Sequence, residues 1–208
     1  MSDAAPPQFP PGAFAKADEG DDAAFYGIAR LVTHIDDAAI AALTAFYREV
    51  LPEGGVLLDL MSSWVSHLPA DVAYAEVIGH GMNAEELAAN PRLGRWFARD
   101  FNRDPTLPLD DASVDAAMIC VSIQYLQRPV ELLADVRRVL KPGGPIVISF
   151  SNRCFPTKAV AIWTAIRDTD KPKLVGSYLE AAGFGDVQAY VLAEGWRSDP
   201  MTAVVGRA

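Results

Sequence analysis

The chain reads as an α/β protein, with a doubly wound and mainly parallel sheet of seven strands carrying helices on both faces. Three observations predict this. Short, almost continuously apolar runs such as VLLDL (56–60), VDAAMICVSI (114–123) and PIVISFS (145–151) suit strands buried on both faces. Segments with apolar residues at helical spacing separate them, as crossover connections between parallel strands require. Turn residues punctuate the joins, so strands and helices alternate and do not cluster by type.

The elements follow in order. Asp36 is placed to cap a helix in DDAAIAALTAFYREVL, where Ile40, Leu43, Phe46, Tyr47 and Val50 share a face and Pro52-Glu53-Gly54-Gly55 ends it. VLLDL is the first strand. AEVIG (75–79) is the second, and Asn83 with Glu86 three places on forms a capping pair for the helix AEELAANP. A short third strand ends near Asp100, before the turn-rich DPTLPLDDAS. After the fourth strand, Leu132, Leu133, Val136, Val139 and Leu140 line one helical face, which Lys141-Pro142-Gly143-Gly144 closes. The fifth strand leads to helices around TKAVAIWTAI and KPKLVGSYLEAAGF, with Gly183 set for a left-handed turn; DVQAYVLAE and TAVVGRA complete the sheet.

Composition bounds the partners. With 208 residues, half of them hydrophobic, the chain can bury one sizeable core. A net charge of -9 argues against a nucleic-acid surface, which needs clustered Lys and Arg. Residues 1–60 hold three basic and ten acidic side chains, whereas residues 120–175 hold nine and four, a local excess that fits either a solvated face or a nearby anionic ligand. Cys120 and Cys154 are too few and isolated for a disulfide framework or zinc site, which fits a reducing cytoplasm. Nothing resembles a signal peptide or a membrane span. The Pro- and Ala-rich opening and its acidic continuation predict a flexible arm over residues 1–22, leaving residues 23–208 as one domain: a helical lid segment (23–55) and a sheet core (56–208). The sequence does not specify an oligomeric state.

LPLDDASVDAAMICVSIQYL and ELLADVRRVLKPGGPIVISFSN closely resemble the fourth strand, following helix and fifth strand of the class I S-adenosylmethionine-dependent methyltransferases, the small-molecule type-11-like group in particular. AAGFGDVQAYVL resembles their last helix and sixth strand. The resemblance spans about residues 26 to 206 and implies a Rossmann-like methyltransferase fold with S-adenosyl-L-methionine as cofactor. Ligands in such sheets sit at the carboxyl ends of the strands.

Residue by residue, the resemblance is uneven. The family turn D-x-G-x-G-x-G falls on DLMSSWV, so Asp59 matches the acid while Met61, Ser63 and Val65 stand at the glycine positions. The ribose-binding acid after the second strand falls on Gly81, with Met82 beside it where an apolar side chain can cover adenine. Asp100 matches the acid that faces the adenine amino group. The implied cofactor set is Asp59, Met61, Ser62, Ser63, Trp64, Gly81, Met82, Asp100, Phe101, Asn102 and Val121. Ser62 and Ser63 add hydroxyl donors, and MSSWVSH reads as a rebuilt cofactor loop.

On the acceptor side, Tyr26, Arg30 and His34 lie in the segment that in this family closes over the methionine end. His67 neighbours a turn, and His80 at its strand end is equally well explained by solvation. Gln124 and Tyr125 follow the fourth strand; Asn152, Arg153 and Lys158 follow the fifth. Tyr26, Arg30, His67, Gln124, Asn152 and Arg153 are the candidate substrate residues, and Tyr125 and His34 the candidate bases, should the acceptor need to lose a proton. Arg153 favours a small anionic or polar acceptor. The expected activity is methyl transfer to such a molecule; the alternative is a non-catalytic binding or regulatory protein on the same scaffold.

Overall fold

The structure, a computed structural model, describes residues 9–208. Seven strands form one sheet: β1 (Val56–Leu60), β2 (Glu76–Gly81), β3 (Arg95–Ala98), β4 (Ala116–Cys120), β5 (Pro145–Phe150), β6 (Gly185–Ala193) and β7 (Met201–Arg207), in the order β3-β2-β1-β4-β5-β7-β6. The first five are parallel. β7 runs antiparallel between β5 and β6. The order reverses between β1 and β4, which opens a crevice at their carboxyl ends.

The two-residue period of the strands sorts side chains to opposite faces. Leu57, Met118 and Val147 pack with Leu43, Phe46 and Tyr47 of α2 (Asp37–Val50), while Leu58, Ile119 and Ile148 pack with Leu132 and Val136 of α4 (Pro129–Val139) and Val175 and Leu179 of α6 (Lys171–Ala181). Three short helices complete the set: α1 (Asp22–Tyr26), α3 (Ala84–Ala89) and α5 (Ala161–Ala165). The predicted caps are present: Asp36 accepts from the Ala39 N–H and Asn83 from those of Glu85 and Glu86. Gly183 is left-handed at φ +88°. The Glu86 side chain, however, does not return to its cap; it serves other partners described below. The fourth strand is shorter than its apolar run suggests, because Val121 turns to φ 43° and residues Ile123–Tyr125 form a 3-10 turn.

The N-terminal segment differs from expectation. Residues 1–8 of the predicted arm lie outside the described residues, but residues 9–21 pack along the molecule as a strap. Phe9 and Phe14 lie against Tyr178 at 5.4 and 5.9 Å between rings. Asp18 donates its N–H to Thr157, and Ala161 and Ile162 donate theirs to Ala15 and Ala13. At its end the Lys16 ammonium bonds the Asp22 carboxylate, and Lys158 reaches Asp22 and Asp18 at 3.1 Å each. Both lysine side chains are only 1% exposed. Two of the acidic residues that suggested disorder, Asp18 and Asp22, thus supply the anionic half of an ion cluster around two buried lysines. α2, inside the expected lid segment, likewise packs on the sheet.

Candidate active site

A cavity of about 410 Å³ opens over the carboxyl ends of β1, β2 and β4, within the size range of small-molecule sites. Its floor begins at Asp59, which is buried with its carboxylate accepting from the Ser62 hydroxyl at 2.6 Å. Burial pushes the Asp59 carboxyl up to about 7, against the opposing bonds from Ser62 and Ser66. Folded Asp59 therefore keeps its proton to a higher pH than the unfolded chain does, so between about 3.8 and 7 stability falls as pH rises. Asp59→Asn, which still accepts from Ser62, is expected to raise the melting temperature at pH 8. The gain should vanish near pH 4; an equal gain at both would place its cause outside the Asp59 charge.

Of the three family glycine positions after β1, one is left-handed. Met61 adopts φ 54° in place of the family's first glycine, whereas Ser63 and Val65 have negative φ that any side chain tolerates. His80 holds the turn. It is buried, not solvated as its strand-end position allowed: Nδ1 accepts from the Met61 N–H at 3.2 Å and Nε2 donates to the Arg99 carbonyl at 2.9 Å. Its ring stacks on Phe101 at 3.7 Å, and burial lowers its pKa to about 3, so it stays neutral. His80 thereby ties the turn to the approach to Asp100.

Gly81 has no room for the acid that the family carries there. A Cβ on it would lie 2.6 Å from the Ser62 carbonyl oxygen, because the Ser62 N–H bonds the His80 carbonyl at 2.6 Å and draws the loop down onto β2. Asp100 lines the cavity, with one oxygen accepting from the Asn102 N–H. Asn102 reaches the lining, but its side chain is occupied in structure: its amide donates to Asp22 and the Tyr125 carbonyl, and its oxygen accepts from Gln127.

Residues 26–34, part of the expected lid segment, border the cavity. The Asn83 amide donates to the Tyr26 carbonyl, and the Trp64 indole to that of Val32. Glu86 joins lid and loop, accepting the Arg30 N–H on one oxygen and the Ser63 hydroxyl on the other, each at 2.6 Å. Tyr26, Arg30, His34 and His67 all reach the cavity, as do Met82, Phe101 and Val121. Burial lowers both the His34 and His67 pKa values, with Glu86 opposing it at His34, so both rings are neutral at pH 7.

On the far wall, Tyr125 accepts the Phe155 N–H on its hydroxyl at 2.9 Å, and burial pushes its pKa up to about 12. That suits a hydroxyl donor better than a base. The Tyr26 and Ser122 hydroxyls also belong to lining residues and are buried without a hydrogen-bond partner among the described residues. Arg153 stands at the rim with Nε on Asp199 at 2.8 Å. Three expectations are corrected here. Gln124 is 1% exposed and turns its amide back to the Val121 carbonyl, away from the lining; Asn152 is exposed and outside it; Lys158 is consumed by the strap's ion cluster.

Residues 62–148 match the family model described as methyltransferase domain. That stretch, less than half of the chain, is where the likeness to a methyltransferase domain lies. A similar solved structure is an S-adenosylmethionine-dependent methyltransferase from Mesorhizobium loti, 19% identical over 81% of this chain and 98% of that one, with a TM-score of 0.56. A methyltransferase from Aquifex aeolicus is 18% identical over 82% and 90%, at 0.58. A putative methyltransferase in complex with the Trm112 activator of Haloferax volcanii is 18% identical over 83% and 90%, at 0.61. These likenesses are of fold. One curated protein, an uncharacterized 37.1 kDa protein of transposon TN4556 from Streptomyces fradiae, is 46% identical over 43 residues; the match spans 21% of this chain and 12% of that protein.

The cavity suits an adenosyl cofactor in outline. The left-handed turn survives at Met61, the acid after β3 survives at Asp100, and the two orphaned hydroxyls leave polar capacity for a ligand. The acid after β2 is the part that is missing. No group of three or more metal-ligating side chains occurs among the described residues, and no described helix is long and apolar enough to cross a membrane.

Proposed function

We propose that the protein transfers the methyl group of S-adenosylmethionine to a small polar or anionic acceptor. The observation that carries this reading is Met61 in the glycine conformation, at the head of a cavity where the fold binds ligands. The cofactor supplies a methyl group on a sulfonium, and transfer then depends mainly on orientation. Tyr125, with its proton held on, and the hydroxyls of Tyr26 and Ser122 orient a polar acceptor; neutral His34 is the group able to take a proton from it. The lid excludes water. Arg153 offers a cation at the rim, where its exposed guanidinium can meet an anionic acceptor.

Calorimetry with S-adenosylhomocysteine tests the cofactor half of this reading. Absence of both heat and thermal shift at millimolar ligand sinks it and leaves a non-catalytic scaffold, to which the occluded Gly81 already points. For the acceptor half, Arg153→Ala is expected to leave that affinity unchanged while lowering methyl transfer to acidic metabolites by at least roughly tenfold, the scale of one charged hydrogen bond. Undiminished transfer would make Arg153 only the partner of Asp199.

A further inference from the structure

The cofactor's ribose presents a vicinal diol, and Gly81 cannot receive it. A carboxylate at that position would drive its Cβ into the Ser62 backbone, so the missing acid is not recoverable by a side-chain change alone. The carboxylates that line the cavity are Asp59, Glu86 and Asp100. Asp59 lies deepest, bonded to Ser62, and Asp100 belongs to the end of β3 with one oxygen in a local turn. Glu86 differs from both. It sits on the first turn of α3, five residues beyond Gly81, and reaches back over the end of β2 to the Ser63 hydroxyl of the rebuilt loop.

Resting on the cofactor reading above, we propose that Glu86 replaces the acid absent at Gly81 as the acceptor of the cofactor's ribose hydroxyls. An ionised carboxylate offers about four lone-pair sites. The Arg30 N–H and the Ser63 hydroxyl occupy one on each oxygen, which leaves one on each for a diol. The two protein donors hold the carboxylate in place, one from the lid and one from the loop, so it is fixed before a ligand arrives. Ser63 at a glycine position then has a purpose: it orients Glu86. Recognition of the sugar is moved from the strand end to the helix that follows it, and the same residue links sugar binding to lid closure.

The test compares S-adenosylhomocysteine with its 2′-deoxyribose analogue by calorimetry, on the parent protein, Glu86→Gln and Glu86→Ala. The parent is expected to prefer the ribose form by roughly 10- to 100-fold, as for hydrogen bonds to a charged group. Glu86→Ala should bind both forms alike. Glu86→Gln keeps an acceptor for Arg30 and so preserves the lid, yet should lose most of the preference. Retention of the full preference in Glu86→Gln and Glu86→Ala overturns the assignment while leaving the cofactor reading intact. Failure of the parent to bind either compound overturns both.

Discussion

Asp22→Ala is expected to cost about 3–5 kcal/mol of stability, the loss typical of removing one partner from a buried ion cluster. Asp22 faces two ammonium groups, and each belongs to a side chain that is 1% exposed. Burial by itself would raise the Asp22 carboxyl and lower the Lys158 ammonium, but their mutual bonds prevail, so Asp22 lies below its ordinary value and Lys158 above. Without the carboxylate, Lys16 loses its acid partner and Lys158 keeps Asp18, two backbone carbonyls and the face of the Phe25 ring. For a chain of this length the loss amounts to a fall in melting temperature on the order of 10 °C. Denaturant titration measures it. A change below about 1 kcal/mol would mean that the strap contributes little to the fold. Since the Asp22 pKa is lowered on folding, its contribution is present above the unfolded value and is lost as pH falls below about 4.

Gly81→Asp, which restores the family's acid, is expected to lower cofactor affinity and to destabilise the protein by about 1–3 kcal/mol, the usual range for overpacking. The new Cβ meets the Ser62 carbonyl at 2.6 Å, and the obstacle is backbone. The loop must lift, which strains the Ser62 bond to His80 and the Met61 bond to the imidazole. Gly81→Ala isolates the steric part and should show most of the same loss. Thermal melts with and without S-adenosylhomocysteine read both effects. Tighter binding by Gly81→Asp would show that the loop yields easily and that the lost acid is a simple deletion.

The sheet was legible because its central strands are short, almost continuously apolar runs, and its helices were legible from Asp36, Asn83 and the Leu132–Val136 face. The resemblance set Met61 at the first glycine position of the loop, and the backbone there is left-handed. What local pattern could not convey was pairing between distant residues. Glu86 meets Arg30 across 56 positions, and Lys158 meets the Asp18 carbonyl across 140. Gln124 and Tyr125 stand side by side after β4, and only the 3-10 turn there sends Tyr125 to the cavity and Gln124 away from it. His80 did leave a trace: a lone imidazole inside the otherwise apolar VIGHG must be bonded if the strand is buried.

The strap has a consequence for the order in which the molecule assembles and comes apart. Its contacts close a loop that encloses most of the sheet, and the entropy of such closure is recovered only after the sheet exists to receive it. Docking of residues 13–22 is therefore expected late in folding, and with it the seating of the lid that follows at residue 22. The reverse path opens the lid first, while β1, β4 and β5 remain paired at the centre of the sheet. On slow warming, ligand protection should fade before the far-ultraviolet signal does, and hydrogen exchange should reach the amides of Ala15 and Asp18 well ahead of those in β4.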